Sequence, residues 1–164
     1  MFTHLLLATD GSELAEVAVA RGLQLAQALQ ADVTVVHVTP PVSVVVPAEA
    51  GLAFSEAAHQ EGGARTAALI FERVEALARE HSVACRTVHV TGRRPADGII
   101  QTADAKACDL IVVGSHGRRG LSRLTLGSQA NEVAARTSVP VLIFGPLDRP
   151  SSATGAGGAG EYAQ

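Results

Sequence analysis

Residues 109–128 read DLIVVGSHGRRGLSRLTLGS, and their pattern predicts the class of fold. Its first part, residues 110–113, is a continuous apolar run of the kind found in strands that are buried on both faces of a sheet. Glycines and arginines follow this run, and a helical pattern begins at Ser128. A buried strand, a glycine-rich turn and a helix in this order are typical of a parallel α/β unit.

Four other short runs predict strands, at residues 5–9, 33–38, 84–90 and 139–144. Residues 84–90 alternate and place Arg86 on the face of Val88, which indicates an edge strand. Pro140 has no N–H to donate, which confines it to an edge or to a strand start, and we interpret the last strand as an edge as well. Between the runs the apolar period is that of a helix, at residues 12–30, from Ala67 to near His81, from Pro95 onward and at 128–138.

This alternation predicts an open five-stranded parallel sheet with helices on both faces. With the third and fifth strands at the edges, the spatial order is 3-2-1-4-5. The chain direction then reverses between strands one and four, and open α/β sheets bind their ligands outside the strand ends at such a point. We therefore expect the functional residues just after Thr9 and just after Val113.

Composition narrows the class of protein. The 164 residues are 47% hydrophobic and carry a formal net charge of -3, which predicts one domain and excludes a broadly basic nucleic-acid binder. No apolar stretch approaches the roughly 20 residues of a membrane span, and the first ten residues lack the basic start of a signal peptide. We expect a cytoplasmic protein with a domain at 1–147 and a flexible Ala/Gly/Ser-rich tail at 148–164. Cys85 and Cys108 are predicted to be structural thiols, without a metal site.

The glycine-rich stretch has the features of an anion site. Gly114 and Gly117 are expected to let the backbone approach a ligand closely and to adopt positive φ. Gly127 and Ser128 open a helix whose first N–H groups attract anions. Three cations, Arg118, Arg119 and Arg123, follow the same strand in a chain that is acidic overall. Together they predict a phosphorylated ligand.

Each feature also has a plainer interpretation. The glycines are common turn residues, Ser128 could be only the N-cap of its helix, and the arginines could be solvated. Asp10 could cap the first helix with Glu13 three positions on, or it could hold a ribose hydroxyl.

Other chemistries are less well supported by the residues. His116 with Ser115 or Ser128 could form a hydrolase pair, but no third group that would orient the histidine is evident. We interpret His116 as a loop residue near phosphate and His37 as a satisfied core residue. The chain has neither GxxxxGK[ST] nor, after its first strand, GxGxxG, which argues against a P-loop protein and a dinucleotide enzyme.

The spacing Gly114-x2-Gly117-x9-Gly127-Ser128 resembles the ATP-binding signature of the universal stress proteins. The resemblance extends over residues 2–145 and includes LLLATDGS, VTVVHV and SVPVLIFGP, although Ala8 stands where some ATP-binding members have proline. It implies a Rossmann-like fold of the adenine nucleotide alpha hydrolase type. It also implies an ATP-binding regulatory module of the stress response, with slow ATP hydrolysis or self-phosphorylation as the alternative.

In the family, the equivalents of Asp10 and Val38 contact ribose and adenine, and those of the signature glycines and Ser128 hold ribose and phosphates. The expected ligand is ATP with Mg²⁺, and the expected partner is a second copy of the chain, paired through the strand between Val139 and Phe144, with no nucleic acid or membrane. Residues 39–63 form a long connection that suits a lid or a disordered stretch. The expected site residues are Thr9, Asp10, Val38, Gly114, His116, Gly117, Arg118, Arg119, Gly127, Ser128 and Gln129.

Overall fold

The computed structural model describes residues 1–41, 56–115 and 127–145. Its strands are β1 His4–Ala8, β2 Asp32–Thr39, β3 Cys85–Thr91, β4 Leu110–Gly114 and β5 Val141–Phe144. All four strand pairs are parallel, and the order across the sheet is β3-β2-β1-β4-β5. The predicted sheet order is therefore confirmed, with β1 at the centre and β3 and β5 at the edges.

The helices are α1 Glu13–Leu29, α2 Glu56–Glu80, α3 Pro95–Ala105 and α4 Ser128–Arg136. One apolar cluster joins α1 and α2 to the sheet through Val19, Leu23 and Ile70, packed on β1 and β2. A second cluster joins α3 and α4 to the opposite face through Ile99 and Val133. Helices thus cover both faces, as the alternation of strands and helices predicts.

The expected connection at 39–63 is wrong in its second part, because α2 already begins at Glu56 and contains Gly62 and Gly63. Each glycine costs a helix about 1 kcal/mol relative to alanine. At Gly63 the missing side chain permits close packing on β2, since a Cβ there would lie 2.7 Å from Cγ2 of Thr39. Residues 42–55 and the expected tail at 148–164 lie outside the described residues.

The two helix caps also differ from the alternatives that the sequence left open. Ser12, and not Asp10, is the N-cap of α1, and its hydroxyl accepts a hydrogen bond from the N–H of Ala15 at 3.4 Å. Gly127 is the N-cap of α4, so Ser128 is the first helical residue and not the cap. Ser128 is therefore available for a role other than capping.

At the amino edge of the sheet, a carboxylate joins the start of β1 to the start of β4. Asp109 accepts hydrogen bonds from the N–H of Thr3 at 2.8 Å and of His4 at 3.0 Å, which ties the start of β1 to the start of β4. Burial acts to raise the pKa of Asp109, but these hydrogen bonds outweigh it, and the pKa is lowered. Burial raises the pKa of both Cys85 and Cys108 to about 11, so their thiolates are disfavoured at neutral pH.

The described ranges contain neither a candidate membrane span nor a candidate metal-binding cluster. In these ranges no helix is both long and apolar enough to cross a membrane. The same residues contain no group of three or more His, Cys, Asp or Glu side chains that could hold a metal ion.

Candidate functional site

At the carboxyl edge of the sheet the central strand is shorter than its neighbours, which leaves a gap, the crevice, between the ends of β2 and β4. The last paired residue of β1 is Ala8, opposite Val36, whereas β2 continues to Thr39. On the other side β1 pairs with β4 up to Val112, and β4 continues to Gly114. The crevice lies at the predicted point of chain reversal, between the ends of β2 and β4.

Residues 9–12 form the turn at the base of this crevice. Thr9 is 6% exposed, and its hydroxyl accepts a hydrogen bond from the N–H of Gly11 at 3.1 Å. Gly11 has φ +75°, a backbone conformation that glycine adopts at little cost. The Oδ1 atom of Asp10 accepts from the N–H of Ser12 at 3.0 Å, which holds this half-buried carboxylate at the end of β1.

Val38 faces the crevice with its backbone. In a parallel ladder, alternate residues direct their N–H and C=O to the same neighbour. Val36 accepts from the N–H of Thr9 at 3.0 Å and so faces β1, which means that Val38 faces the same side. No residue of β1 is paired with Val38, since the pairing ends at Ala8. The side chain of Val38 packs on α3, where a Cβ at Gly98 would lie 2.8 Å from its Cγ2 atom.

Gly114 faces the crevice from the other side. In the ladder to β5, the N–H of Ile111 donates to the C=O of Pro140 at 2.9 Å, and the N–H of Ser115 donates to the C=O of Phe144 at 2.7 Å. The odd-numbered residues of this segment therefore direct their backbone groups toward β5. By the same alternation Gly114 directs its backbone groups toward β1. Positive φ at Gly114 was expected and is wrong, because this residue is the extended end of β4.

The start of α4 is held beside the end of β4. The C=O of Ser115 accepts from the N–H of Gly127 at 2.6 Å, so the segment between these two residues leaves and re-enters the fold at one place. This contact brings the N-terminal N–H groups of α4, beginning at Ser128, to the crevice. The expected site residues His116, Gly117, Arg118 and Arg119 lie outside the described residues.

Gln129 has a contact that the sequence did not indicate. Its side-chain oxygen accepts from the N–H of Ala96 at 3.2 Å, in the first turn of α3. An ion pair between Arg94 and Glu132, at 2.9 Å, joins the same two helices. The structure thus places Gln129 at the junction of α3 and α4, with its oxygen engaged by α3.

Sequence reasoning missed one residue of the site, His37. The interpretation of His37 as a satisfied core residue is confirmed, since it is 6% exposed and its Nδ1 atom lies 2.9 Å from the C=O of Thr9. Its ring stacks on that of His89, with centroids 5.7 Å apart. His89 in turn lies with Nε2 2.8 Å from the hydroxyl of Thr39. The position of His37, directly before Val38, is the sequence signal that could have drawn attention to it.

The histidine pair leads to a prediction about pH. Burial, and secondarily the charge of His37, lowers the pKa of His89. Because the folded chain then binds this proton less tightly than the unfolded chain, the contribution of His89 to stability falls as the pH drops through about 6.5, the ordinary pKa of histidine. We expect His89→Gln, whose amide can still reach Thr39, to lose less stability than the wild type between pH 7 and pH 5 in urea unfolding. Equal losses in the two proteins would contradict this.

Sheet order and crevice together define a Rossmann-like α/β protein. A model of the universal stress protein family matches residues 1–145, and the chain belongs to this family. Universal stress protein YxiE of Bacillus subtilis is 32% identical over 152 residues, which cover 87% of this chain and 99% of that protein.

Solved structures of the family agree with this fold. Universal stress protein UspA from Lactobacillus plantarum is similar with a TM-score of 0.71 at 22% identity, over 87% of this chain and 97% of that one. A universal stress protein in complex with cAMP is similar with a TM-score of 0.65 at 27% identity, again over 87% of this chain and 97% of that one.

Proposed function

We propose that the chain is an ATP-binding universal stress protein, a nucleotide-dependent regulatory module that holds ATP in the crevice between β2 and β4. The observation that carries the proposal is the direction of the Val38 backbone, whose N–H and C=O face the crevice beyond the end of β1. The edge of adenine offers a ring nitrogen that accepts and an amino group that donates, which complements these two groups. The related structure with cAMP, also an adenine nucleotide, supports this assignment.

The ribose would lie between the two strand ends that flank β1. Asp10 stands at the end of β1 with one carboxylate oxygen on the N–H of Ser12. A carboxylate can accept several hydrogen bonds, so Asp10 suits ribose hydroxyl groups. Gly114 faces it from β4, and the absence of a side chain there lets the sugar approach the backbone.

The phosphates would lie at the start of α4. The N–H groups of Ser128 and its neighbours are among those that a helix leaves without partners in its own backbone, and the helix dipole favours an anion there. In this proposal the residue types at four further positions suit phosphates, since glycine at Gly117 permits close backbone approach and His116, Arg118 and Arg119 offer donors and positive charge. Mg²⁺ would be held through the phosphates and water, as is usual for this ion.

Mass spectrometry of the denatured, purified protein tests the proposal directly. We expect an adenine nucleotide to be released, and we expect added ATP to raise the melting temperature of protein freed of ligand. Release of AMP or ADP after incubation with ATP would favour the slow hydrolase. No released nucleotide and no thermal shift at millimolar ATP would contradict nucleotide binding altogether.

We also propose that β5 pairs with its copy in a second chain. β5 is an edge strand with four half-buried apolar residues, and an open apolar edge promotes association. The carbonyls of Pro140 and Phe144 face β4, so the N–H of Ile143 faces outward. Ile143→Pro removes this donor without breaking the β4 ladder. Light scattering should show a dimer for the wild type and for Ile143→Val, and a monomer for Ile143→Pro; a monomeric wild type would contradict the pairing.

A further inference from the structure

The ladder between β1 and β2 ends at Thr9, just before the chain turns toward α1 at Gly11 and Ser12. Its last regular hydrogen bond joins the N–H of Thr9 to the C=O of Val36 at 3.0 Å. In a continued parallel ladder, the C=O of Thr9 would accept from the N–H of Val38, and the N–H of Gly11 would donate to the C=O of Val38. Instead, the C=O of Thr9 and the N–H of Gly11 are both engaged by side chains.

Two side chains account for the change. The C=O of Thr9 lies 2.9 Å from Nδ1 of His37, and because a carbonyl only accepts, this nitrogen must carry the hydrogen. The N–H of Gly11 donates to the hydroxyl of Thr9 at 3.1 Å. Each contact satisfies a group that would otherwise pair with Val38, so the two together replace one step of the ladder.

The ring of His37 is fixed in this position by its surroundings. It is buried on the face of the sheet that α1 and α2 cover, and it stacks on His89 of β3 with an angle of 27° between the rings. The hydroxyl of Thr39 contacts Nε2 of His89 at 2.8 Å and holds the second ring. The donor to Thr9 is thus part of the packed sheet and does not depend on a mobile surface side chain.

We infer that His37 and Thr9 are positioning residues that end the β1–β2 ladder one step early and so keep the N–H and C=O of Val38 available to the base of the nucleotide. The inference rests on the proposed function, since it assigns the origin of the base subsite. Without the two side chains, Thr9 and Gly11 would pair with Val38 and close the subsite from within.

Amide hydrogen exchange of the ligand-free full chain, followed by NMR, tests the ladder without any nucleotide. We expect the Val38 amide of the wild type to exchange roughly 100-fold faster than the Val36 amide, since open and ladder amides differ widely in protection. His37→Leu should slow the Val38 amide at least tenfold as the ladder extends. His37→Asn, whose amide nitrogen replaces Nδ1, should leave it fast. A wild-type Val38 amide as protected as that of Val36, or equal exchange in the two variants, would overturn the inference.

Thr9 offers a second, matched pair of variants. Thr9→Val keeps the shape of the side chain but removes the acceptor for Gly11, whereas Thr9→Ser keeps the hydroxyl. Titration calorimetry should show that His37→Leu and Thr9→Val each weaken ATP about tenfold, as expected for one displaced hydrogen bond, and leave tripolyphosphate binding unchanged. His37→Asn should bind ATP as the wild type does, and Thr9→Ser should bind ATP more tightly than Thr9→Val. Equal weakening of both ligands would indicate a merely structural role and overturn the inference.

The two proposals fail in different ways. A wild type that shows the expected exchange pattern but binds no nucleotide would overturn the proposed function, and with it the base-binding role of Val38. A wild type that binds ATP with a Val38 amide already protected in the free chain would overturn only the inference.

Discussion

Replacement of Gly127 by valine is expected to abolish the stabilisation that ATP gives to the folded chain. Gly127 has φ -58° and ψ 145°, a conformation open to valine, and its N–H bond to Ser115 does not depend on the side chain. The variant should therefore fold, but its branched side chain would occupy the place that we propose for the phosphates at the start of α4. At about 100 times its Kd, ATP should stabilise the wild type by roughly 2.7 kcal/mol and the variant hardly at all, as measured by urea unfolding with and without ATP.

Matched variants separate the phosphate site from general effects of the substitution. Gly145→Val introduces the same side chain after β5, where a Cβ meets nothing within 4 Å, and should keep the full response to ATP. Gly117→Val should behave as Gly127→Val does. Ser128→Ala should cost binding only about 0.5–1.5 kcal/mol, the contribution of one hydroxyl contact. Because Ser128 is not the N-cap, this variant should fold as stably as the wild type. Undiminished stabilisation of Gly127→Val by ATP would rule out the phosphate site.

The chain should bind ATP at least about 100-fold more tightly than GTP, because a site built on hydrogen bonds strongly rejects a ligand that mismatches them. The N–H of Val38 would meet the donor N1–H of guanine, and its C=O would meet the acceptor O6. Each group left unsatisfied costs about 1–3 kcal/mol, and two such groups account for the factor. Titration calorimetry measures both affinities, with tripolyphosphate as the control for the phosphate contribution. Affinities within threefold of each other would show that Val38 does not read the base.

The periodicity of the apolar residues was sufficient to predict the strands and helices. The edge positions of β3 and β5 were predicted from Arg86 and Pro140, because a charge disfavours a strand buried on both faces and a missing N–H restricts proline to an edge or a strand start. The start of α2 could not be predicted in the same way. The helical state of Gly63 depends on its contact with Thr39, which is distant in sequence, and local propensity points the other way.

The backbone geometry of the candidate site could not be predicted from the sequence. Asp10 and Ser12 both have the chemistry of an N-cap, and the turn at Gly11 decides between them. The direction of the Val38 backbone and the role of His37 depend on the register between β1 and β2. That register is a property of paired strands, and no local pattern around residue 38 contains it.

The hydrogen bond between Ser115 and Gly127 holds together the two ends of the intervening segment, which can therefore be exchanged as a unit. Ser115 is buried directly after β4, Gly127 is the N-cap of α4, and the N–H of Gly127 donates to the C=O of Ser115 at 2.6 Å. Loops closed by the rigid fold in this way tolerate changes of length, since doubling the length costs only about 0.6 kcal/mol. A segment transplanted from a relative between these two residues should therefore alter ligand preference while strand register and unfolding free energy are preserved. Ligand preference in such a protein can thus evolve through changes in this one segment, while the rest of the domain stays the same.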